Sequence, residues 1–465
     1  MIRQAWRHAL PLWGVVLLLS GCAAVRNYDA ELYVTLERAS TGAVDDAIRL
    51  LESNNRQPDK DLLYYLELGM LQRLGGRYEE SQKAWKAASA RIEAANAGGL
   101  AQVSAVTRGS SSYVINDKLR VYPGHDYEKV MLLTYMALNH LAMGDFDGAR
   151  VAIKQAHELE AQIAELRAKQ YAEIEESARK RGAHTSFKEL NGYPIQTIDT
   201  PEVNALRNGY QSALSHYLAG FIYEALGEPS LAAPGYRLAN ELQPGQPLLE
   251  EALRGLDERV GGRPDDGMTD VLMIVGTGSA PAIQSRQFML PVVIDNRLIL
   301  IANAFPVMTA TSWKPSPTEV ALDGQSFPAA RITSIDLMAR RRLMDDMPAI
   351  MLRATIRSTM SATLQYQARR ASDREHALEM ALAASIITAG SIVLASADDR
   401  TWRALPSDVS IARARVPRGV HTITLHTPDG PRSARVSVSG RYAVVDLRLL
   451  RHQLLVSAPK LRAAR

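Results

Sequence analysis

Three segments in the first half of this 465-residue chain repeat one order of residue types. In each segment a large residue precedes a small one, a glycine, a second small residue, another large residue and an alanine. The residues are Tyr65, Gly69, Gly76, Ser81, Trp85 and Ala88, then Leu133, Ala137, Gly144, Ala149, Ile153 and Ala156, then His216, Gly220, Gly227, Ala232, Tyr236 and Ala239. Gly69 and Ala137 are 68 residues apart, whereas Gly220 lies 83 residues beyond Ala137 and is out of register.

This order resembles the tetratricopeptide repeat, a pair of helices with a period of about 34 residues. A small residue such as Gly69 lets the paired helix approach, and Trp85, Ile153 and Tyr236 are expected to fill the space between neighbouring pairs. One pair cannot bury its apolar face alone, so the pairs are expected to stack. Ordinary amphipathic helices also carry alanines at such spacing, but three coincident matches favour the repeat.

Two insertions interrupt the predicted array. Residues 98–126 are rich in Gly, Ser and Val and occupy the place of a repeat. A loop of this length inside a domain is usually functional or disordered. Residues 158–188 are predicted to form a long charged helix that extends the preceding repeat, with partner binding as the second interpretation.

The pattern changes after residues 261–267, which are rich in Gly, Pro and Asp and are predicted to be a linker. Short apolar runs separated by turn sequences then predict strands near the beginning and the end of the second half. We therefore predict an α+β fold, with an all-α tetratricopeptide-like array at residues 28–260. A mixed domain at residues 268–457 is predicted to carry β-strands at both ends and to finish in a small β-sandwich-like unit.

Two helices are predicted between these groups of strands. The first spans about residues 335–370, and Pro348 is predicted to open a new helix within it, because proline suits a first helical position. The second spans about residues 374–397 and has no charge from Met380 to Ala397. We interpret this second helix as a buried core helix, because its Ala, Ser, Thr and Gly residues make it less hydrophobic than a membrane-spanning helix. Contact with a membrane is the alternative.

The first 22 residues predict export of the chain. Arg3 and Arg7 precede an apolar stretch at residues 9–19, which is shorter than the roughly 20 residues of a membrane-spanning helix. The sequence Leu-Ser-Gly-Cys that ends at Cys22 is similar to a bacterial lipobox. Residues 1–21 are therefore predicted to be a lipoprotein signal peptide.

Cys22 is the only cysteine of the chain, so it cannot form an internal disulfide. Lipid attachment to its thiol accounts for it, and residues 22–27 are predicted to be a short lipidated tether. Ala23 follows the cysteine, a pattern that in proteobacterial lipoproteins implies the periplasmic face of the outer membrane. Removal of the signal peptide lowers the formal charge from +4 to +2, which gives no electrostatic reason to bind nucleic acid.

Two stretches, residues 122–151 and 397–422, make the whole chain similar to an uncharacterised family of bacterial outer-membrane lipoproteins that contain tetratricopeptide repeats. The resemblance extends over nearly the full chain that follows the signal peptide. It implies the architecture and the location given above. The family has no established activity that the resemblance could extend to this chain.

The sequence shows no convincing catalytic, cofactor or metal site. The glycines of Gly276-Thr277-Gly278 follow a strand but lack the further residues of a nucleotide-binding loop. His421 and His426 are expected on opposite faces of one strand, so they cannot share a metal ion. His216 occupies a repeat-packing position and is expected to be a satisfied core imidazole.

These observations favour a non-catalytic adaptor, held on the membrane by lipid, whose helical array offers a concave surface to an envelope protein. The identity of that partner is not predicted. The alternative is a protein that binds peptidoglycan or polysaccharide through its C-terminal β domain, where Trp402 and Tyr442 are the candidate aromatic residues. A third hypothesis, a periplasmic hydrolase, would need a cleft that pairs two carboxylates, or a serine with a histidine.

Overall fold

The computed structural model describes residues 26–106, 121–181, 185–261, 266–294, 297–310, 313, 315–371 and 396–458. Helices come first and strands follow, so the predicted α+β class is confirmed. The helices before the strands are α1 (Tyr28–Ser40), α2 (Val44–Asn54), α3 (Leu62–Leu74), α4 (Tyr78–Val106), α5 (Asp126–Ala142), α6 (Phe146–Arg181), α7 (Pro201–Ala205), α8 (Ala213–Ala225), α9 (Pro229–Leu242), α10 (Pro247–Arg254) and α11 (Leu256–Gly261). The predicted signal peptide and Cys22 lie outside the described residues.

The three predicted repeats fold as helix pairs, α3 with α4, α5 with α6, and α8 with α9. The turn of each pair contains a glycine with a positive φ: Gly76 at +70°, Gly144 at +77° and Gly227 at +77°. Side chains with a β-carbon rarely adopt this conformation, which explains why glycine recurs there. The first pair begins at Asp61, whose carboxylate accepts the backbone N–H of Tyr64 at 2.8 Å and caps α3.

The two predicted insertions begin as continuations of helices α4 and α6. Helix α4 runs into the first insertion as far as Val106. Helix α6 is 36 residues long and carries the second insertion up to Arg181, as the charged pattern predicts. Residues 107–120, with the serine run of the first insertion, lie outside the described part of the chain.

The second half begins at β1 (Met268–Thr277). It continues with β2 (Ile283–Ile294), β3 (Arg297–Met308), β4 (Glu319–Leu322), β5 (Gln325–Ser334), α12 (Ile335–Ala371), β6 (Asp408–Pro417), β7 (Gly419–Thr427), β8 (Gly430–Val438), β9 (Tyr442–Leu449) and β10 (Leu454–Ser457). Eight of these strands form one sheet in the order β10-β9-β1-β6-β5-β4-β7-β8. Strand β1 pairs antiparallel with β6 and parallel with β9, so the beginning and the end of this half lie side by side.

The two faces of the sheet contribute to two different cores. On β1, Leu272 and Ile274 belong to a core that also contains the helices, whereas Val271, Met273 and Val275 belong to a second core. The second core also takes apolar residues from β4 and from β6 to β9. The sheet curls around it, because β8 and β10 come into contact although they stand at opposite ends of the strand order.

Strands β2 and β3 form a separate two-stranded ribbon, and helix α12 packs against it. The amide of Asn303 donates to the hydroxyl of Ser358 at 2.7 Å across this contact. The prediction that Pro348 opens a new helix is wrong, because α12 continues through it. Proline removes one helical hydrogen bond, yet the helix is continuous there, and Met347 and Met351 on the two sides of Pro348 are buried.

The second predicted helix, at about residues 374–397, lies almost entirely outside the described residues. Among the helices that are described, none is both long enough and apolar enough to cross a membrane.

Candidate functional site

The small residues of the predicted repeats lie where the two helices of a pair touch. A β-carbon on Gly69 would overlap the indole of Trp85, and one on Gly220 would stand 2.6 Å from Cδ1 of Tyr236. Each glycine is thus matched to one large ring on the second helix of its pair. The indole N–H of Trp85 donates to the backbone carbonyl of Leu66 at 3.2 Å, which fixes the ring in place.

The other predicted repeat-packing residues are placed as follows. The alanines of this set are fully buried: Ala88, Ala137, Ala149, Ala156 and Ala239. Gly144 and Gly227 lie in the turns described above. Tyr65 is partly buried, and the guanidinium of Arg91 lies 5.1 Å from the centre of its ring.

The inner face of the array is lined by the first helices of the pairs, α3, α5 and α8, and the chain itself covers this face. The segment at residues 397–407 runs between the helices and the sheet, and its Trp402 is fully buried. The centre of the Trp402 ring lies 6.0 Å from that of Trp85 and 6.4 Å from that of Tyr135. Three aromatic rings therefore join the first pair, the second pair and the segment.

Two buried carboxylates on the inner helices hold the backbone of this segment. Glu67 on α3 accepts the N–H of Arg403 at 2.6 Å and that of Ala404 at 3.1 Å. Glu128 on α5 accepts the N–H of Trp402 at 2.7 Å. Burial raises the pKa of Glu67 to about 8 and also raises the pKa of Glu128.

Ion pairs extend the contact from the helices to the sheet. Glu224 on α8 accepts from Arg413 of β6 at 2.5 Å and from Arg259 of α11 at 2.7 Å. Burial alone would raise the pKa of Glu224, but these two guanidinium groups outweigh it and hold the pKa below its usual value. Arg73 on α3 donates to Asp446 of β9 at 2.7 Å.

The expectation of an open concave surface is therefore wrong for the part of the inner face described here. Aromatic packing, backbone hydrogen bonds and buried ion pairs fill it from within the same chain. The two aromatic residues of the glycan-binding alternative are engaged as well. Trp402 is buried, and the ring of Tyr442 meets Phe221 edge-on with centres 5.7 Å apart.

A cleft lies open at the junction between the second and third pairs. Its volume is about 400 Å³, and it lies between α6, α8 and α9 next to the loop that precedes α8. Leu231, Pro234 and Leu238 of α9 form an apolar wall, with Leu231 52% exposed at the rim. This junction is where the third repeat falls out of the sequence period.

Polar side chains form the floor of this cleft. The rings of His157 on α6 and His216 on α8 stack with centres 4.2 Å apart. Nε2 of His216 lies 2.9 Å from Oε2 of Glu160, and both of these side chains are 5% exposed. Burial, together with the neighbouring charge of His216, lowers the pKa of His157 to about 3. Among the described residues, no group of three metal-ligating side chains is placed to hold a metal ion.

Sequence reasoning placed the apolar contacts of the array and missed the polar ones. His216 was expected as a satisfied core imidazole, and its contact with Glu160 agrees with that expectation. Glu67 and Glu224 carry a signal in the sequence, since each interrupts an otherwise apolar stretch of a first helix, whereas Glu128 lies in the polar first turn of its helix beside Lys129. A carboxylate at such a position implies a buried partner, but the sequence does not identify Arg403, Trp402 or Arg413 as that partner.

No protein-family model matches this sequence, and no curated protein is similar to it. Among solved structures, a tetratricopeptide repeat protein from Parabacteroides merdae is similar, at 14% sequence identity. The match covers 49% of this chain and 98% of that one, with a TM-score of 0.13. A likeness of this strength carries no information on function.

Proposed function

We propose that this chain is a non-catalytic adaptor of the bacterial cell envelope that binds a protein partner at the cleft between its second and third helix pairs. The observation that carries the proposal is the cleft itself. The described inner face is occupied by the chain itself, whereas the junction between α6, α8 and α9 is open, apolar on one wall and polar on its floor. Binding sites in proteins usually combine these features.

The place of action that we propose is the periplasmic face of the outer membrane, with lipid on Cys22 as the anchor. The support comes from the lipobox-like sequence and from the absence of any other cysteine. Cys22→Ser should abolish labelling of the protein by radioactive palmitate. Labelling that survives this substitution would contradict the anchor without bearing on the cleft.

Partner binding can be tested by photo-crosslinking in intact cells. A photoreactive amino acid would replace Leu231, at the rim of the cleft, and Val420 on β7 would serve as the matched control. The two side chains are 52% and 51% exposed, so they meet solvent equally. We expect a discrete crosslinked product from position 231 and none of the same size from position 420.

Two outcomes would contradict the proposal. The first is the same product from both positions, which would indicate a non-specific neighbour. The second is no product from position 231 at normal abundance of the variant in the membrane fraction.

A further inference from the structure

Two buried polar atoms on the floor of the cleft have no hydrogen-bond partner among the described residues. They are Oε1 of Glu160 and Nε2 of His157. The side chain of Glu160 is 95% buried, and only its other oxygen is engaged, by His216. A buried polar atom without a partner lowers the stability of the fold by about 1–3 kcal/mol. Two such atoms that line an open cleft therefore point to a ligand that supplies the missing hydrogen bonds.

Both atoms are hydrogen-bond acceptors. Glu160 offers a carboxylate oxygen. Nε2 of His157 is buried without a partner, and it accepts through its lone pair when the ring hydrogen is on Nδ1. The ring is neutral, because its pKa lies near 3.

The wall above these acceptors suits an aliphatic chain. Leu231, Pro234 and Leu238 line one side of the cleft, and Ala161 and Ala164 of α6 also line it. These side chains offer no hydrogen-bonding group. A ligand that fits therefore carries apolar methylenes along its length and a hydrogen-bond donor at its end.

The rim is built to keep its shape without a ligand. Oδ1 of Asn208 accepts the backbone N–H of Tyr210 at 3.1 Å and that of Gln211 at 2.8 Å. Nδ2 of Asn208 donates to Oε1 of Gln211 at 2.6 Å. A preformed rim reduces the entropy that binding must overcome.

We infer that the cleft binds a primary amine on an aliphatic chain, as presented by a lysine side chain of the partner protein. The ammonium group donates to Oε1 of Glu160 and to Nε2 of His157, and the methylenes lie against Leu231 and Leu238. This inference rests on the proposed function and names the chemistry of the partner at that same site. An ammonium group has three donors and no acceptor, so it matches a floor made of two acceptors.

The test uses two probes that differ only in the amine, Nα-acetyl-lysine N-methylamide and Nα-acetyl-norleucine N-methylamide. Saturation-transfer difference NMR with the full chain measures their dissociation constants. We expect the norleucine probe to bind at least about tenfold more weakly, because a charge-assisted hydrogen bond contributes about 1.5–3 kcal/mol. Equal binding of the two probes, or no binding of either, would overturn the inference.

Glu160→Gln is the decisive variant, since it keeps the shape and a contact with His216 but removes the negative charge. Its matched control is Glu158→Gln, which changes the same residue type on the exposed side of the same helix. We expect the first variant to weaken lysine-probe binding about tenfold and the second to leave it unchanged. Thermal melting of both variants reports whether the fold is intact, and equal losses of binding would contradict a role for Glu160.

The crosslinking experiment separates this inference from the proposed function. If position 231 still crosslinks to its partner in the Glu160→Gln variant with undiminished yield, the adaptor function stands and the amine chemistry is wrong. If the lysine probe binds but position 231 yields no product, the chemistry of the cleft stands and the adaptor function is wrong.

Discussion

The substitution Trp402→Ala should weaken the contact between the helices and the sheet more than any other single truncation in the segment at residues 397–407. A fully buried tryptophan such as Trp402 removes about 250 Å² of its surface from water. This burial contributes about 6 kcal/mol to the free energy of unfolding. Residual burial in the unfolded chain reduces this figure to about 4 kcal/mol. The indole N–H has no acceptor among the described residues, so its removal offsets about 1 kcal/mol of the lost stability. We therefore expect a loss of about 3 kcal/mol.

Urea unfolding followed by far-ultraviolet circular dichroism measures this loss. Trp402→Phe keeps the aromatic contacts with Trp85 and Tyr135 and removes the unpartnered N–H, so it should cost less than about 1.5 kcal/mol. Trp313→Ala serves as the control, because this partly buried residue lies on the other core and makes an exposed contact with Asp429. A loss below about 1 kcal/mol for Trp402→Ala, or equal losses for the two Trp402 variants, would refute the reasoning.

Three further predictions concern the pairs, the cleft and the ion pairs. Gly220→Ala should lower stability by about 1–3 kcal/mol in thermal melting, because its β-carbon meets a tyrosine ring, whereas Gly261→Ala, in open space, should have little effect. The low pKa of His157 means that the unfolded chain takes up a proton below about pH 6.5 while the folded chain does not. Stability should therefore fall as the pH decreases, and His157→Gln should remove about 2 kcal/mol of that loss between pH 7 and pH 5 in urea unfolding. Arg413→Met should cost about 3 kcal/mol in the same assay because it leaves a buried carboxylate with one partner fewer, whereas Arg415→Met, at a more exposed pair, should cost under about 0.5 kcal/mol.

The helix pairs could be predicted because their signals are local. Gly69 and Trp85 are 16 residues apart, and the turn between their helices is marked by Gly76. Small residues, large residues and turn glycines all lie within one pair, so a single stretch of sequence contains the whole constraint. The α+β class followed from the change of pattern after the linker, for the same reason.

The packing of residues 397–407 and of the sheet on the inner face could not be predicted, because these contacts join distant parts of the chain. Glu67 meets Arg403 across 336 residues, and Arg73 meets Asp446 across 373. Strand β1 pairs in parallel with β9, although seven strands lie between them in the sequence. No local pattern specifies such pairings. Strands β4 and β5 were not predicted for a different reason, since β4 has only four residues and β5 carries no clear alternation of buried and exposed residues.

The break in the repeat period and the open cleft have one structural origin. After the second pair, α6 does not end where a repeat would end but continues to Arg181, and the third pair starts only at Ala213. Helix α8 therefore docks on the extended part of α6, where His216 meets Glu160. At the junction between the first and second pairs, by contrast, the ring of Trp85 meets that of Tyr135 with centres 6.2 Å apart. A chain selected for stability alone would close this junction in the same way, because two unpartnered acceptors cost more than an apolar contact. Local rules are broken mainly at functional sites, and this junction breaks two of them, the period and the pairing of buried polar atoms.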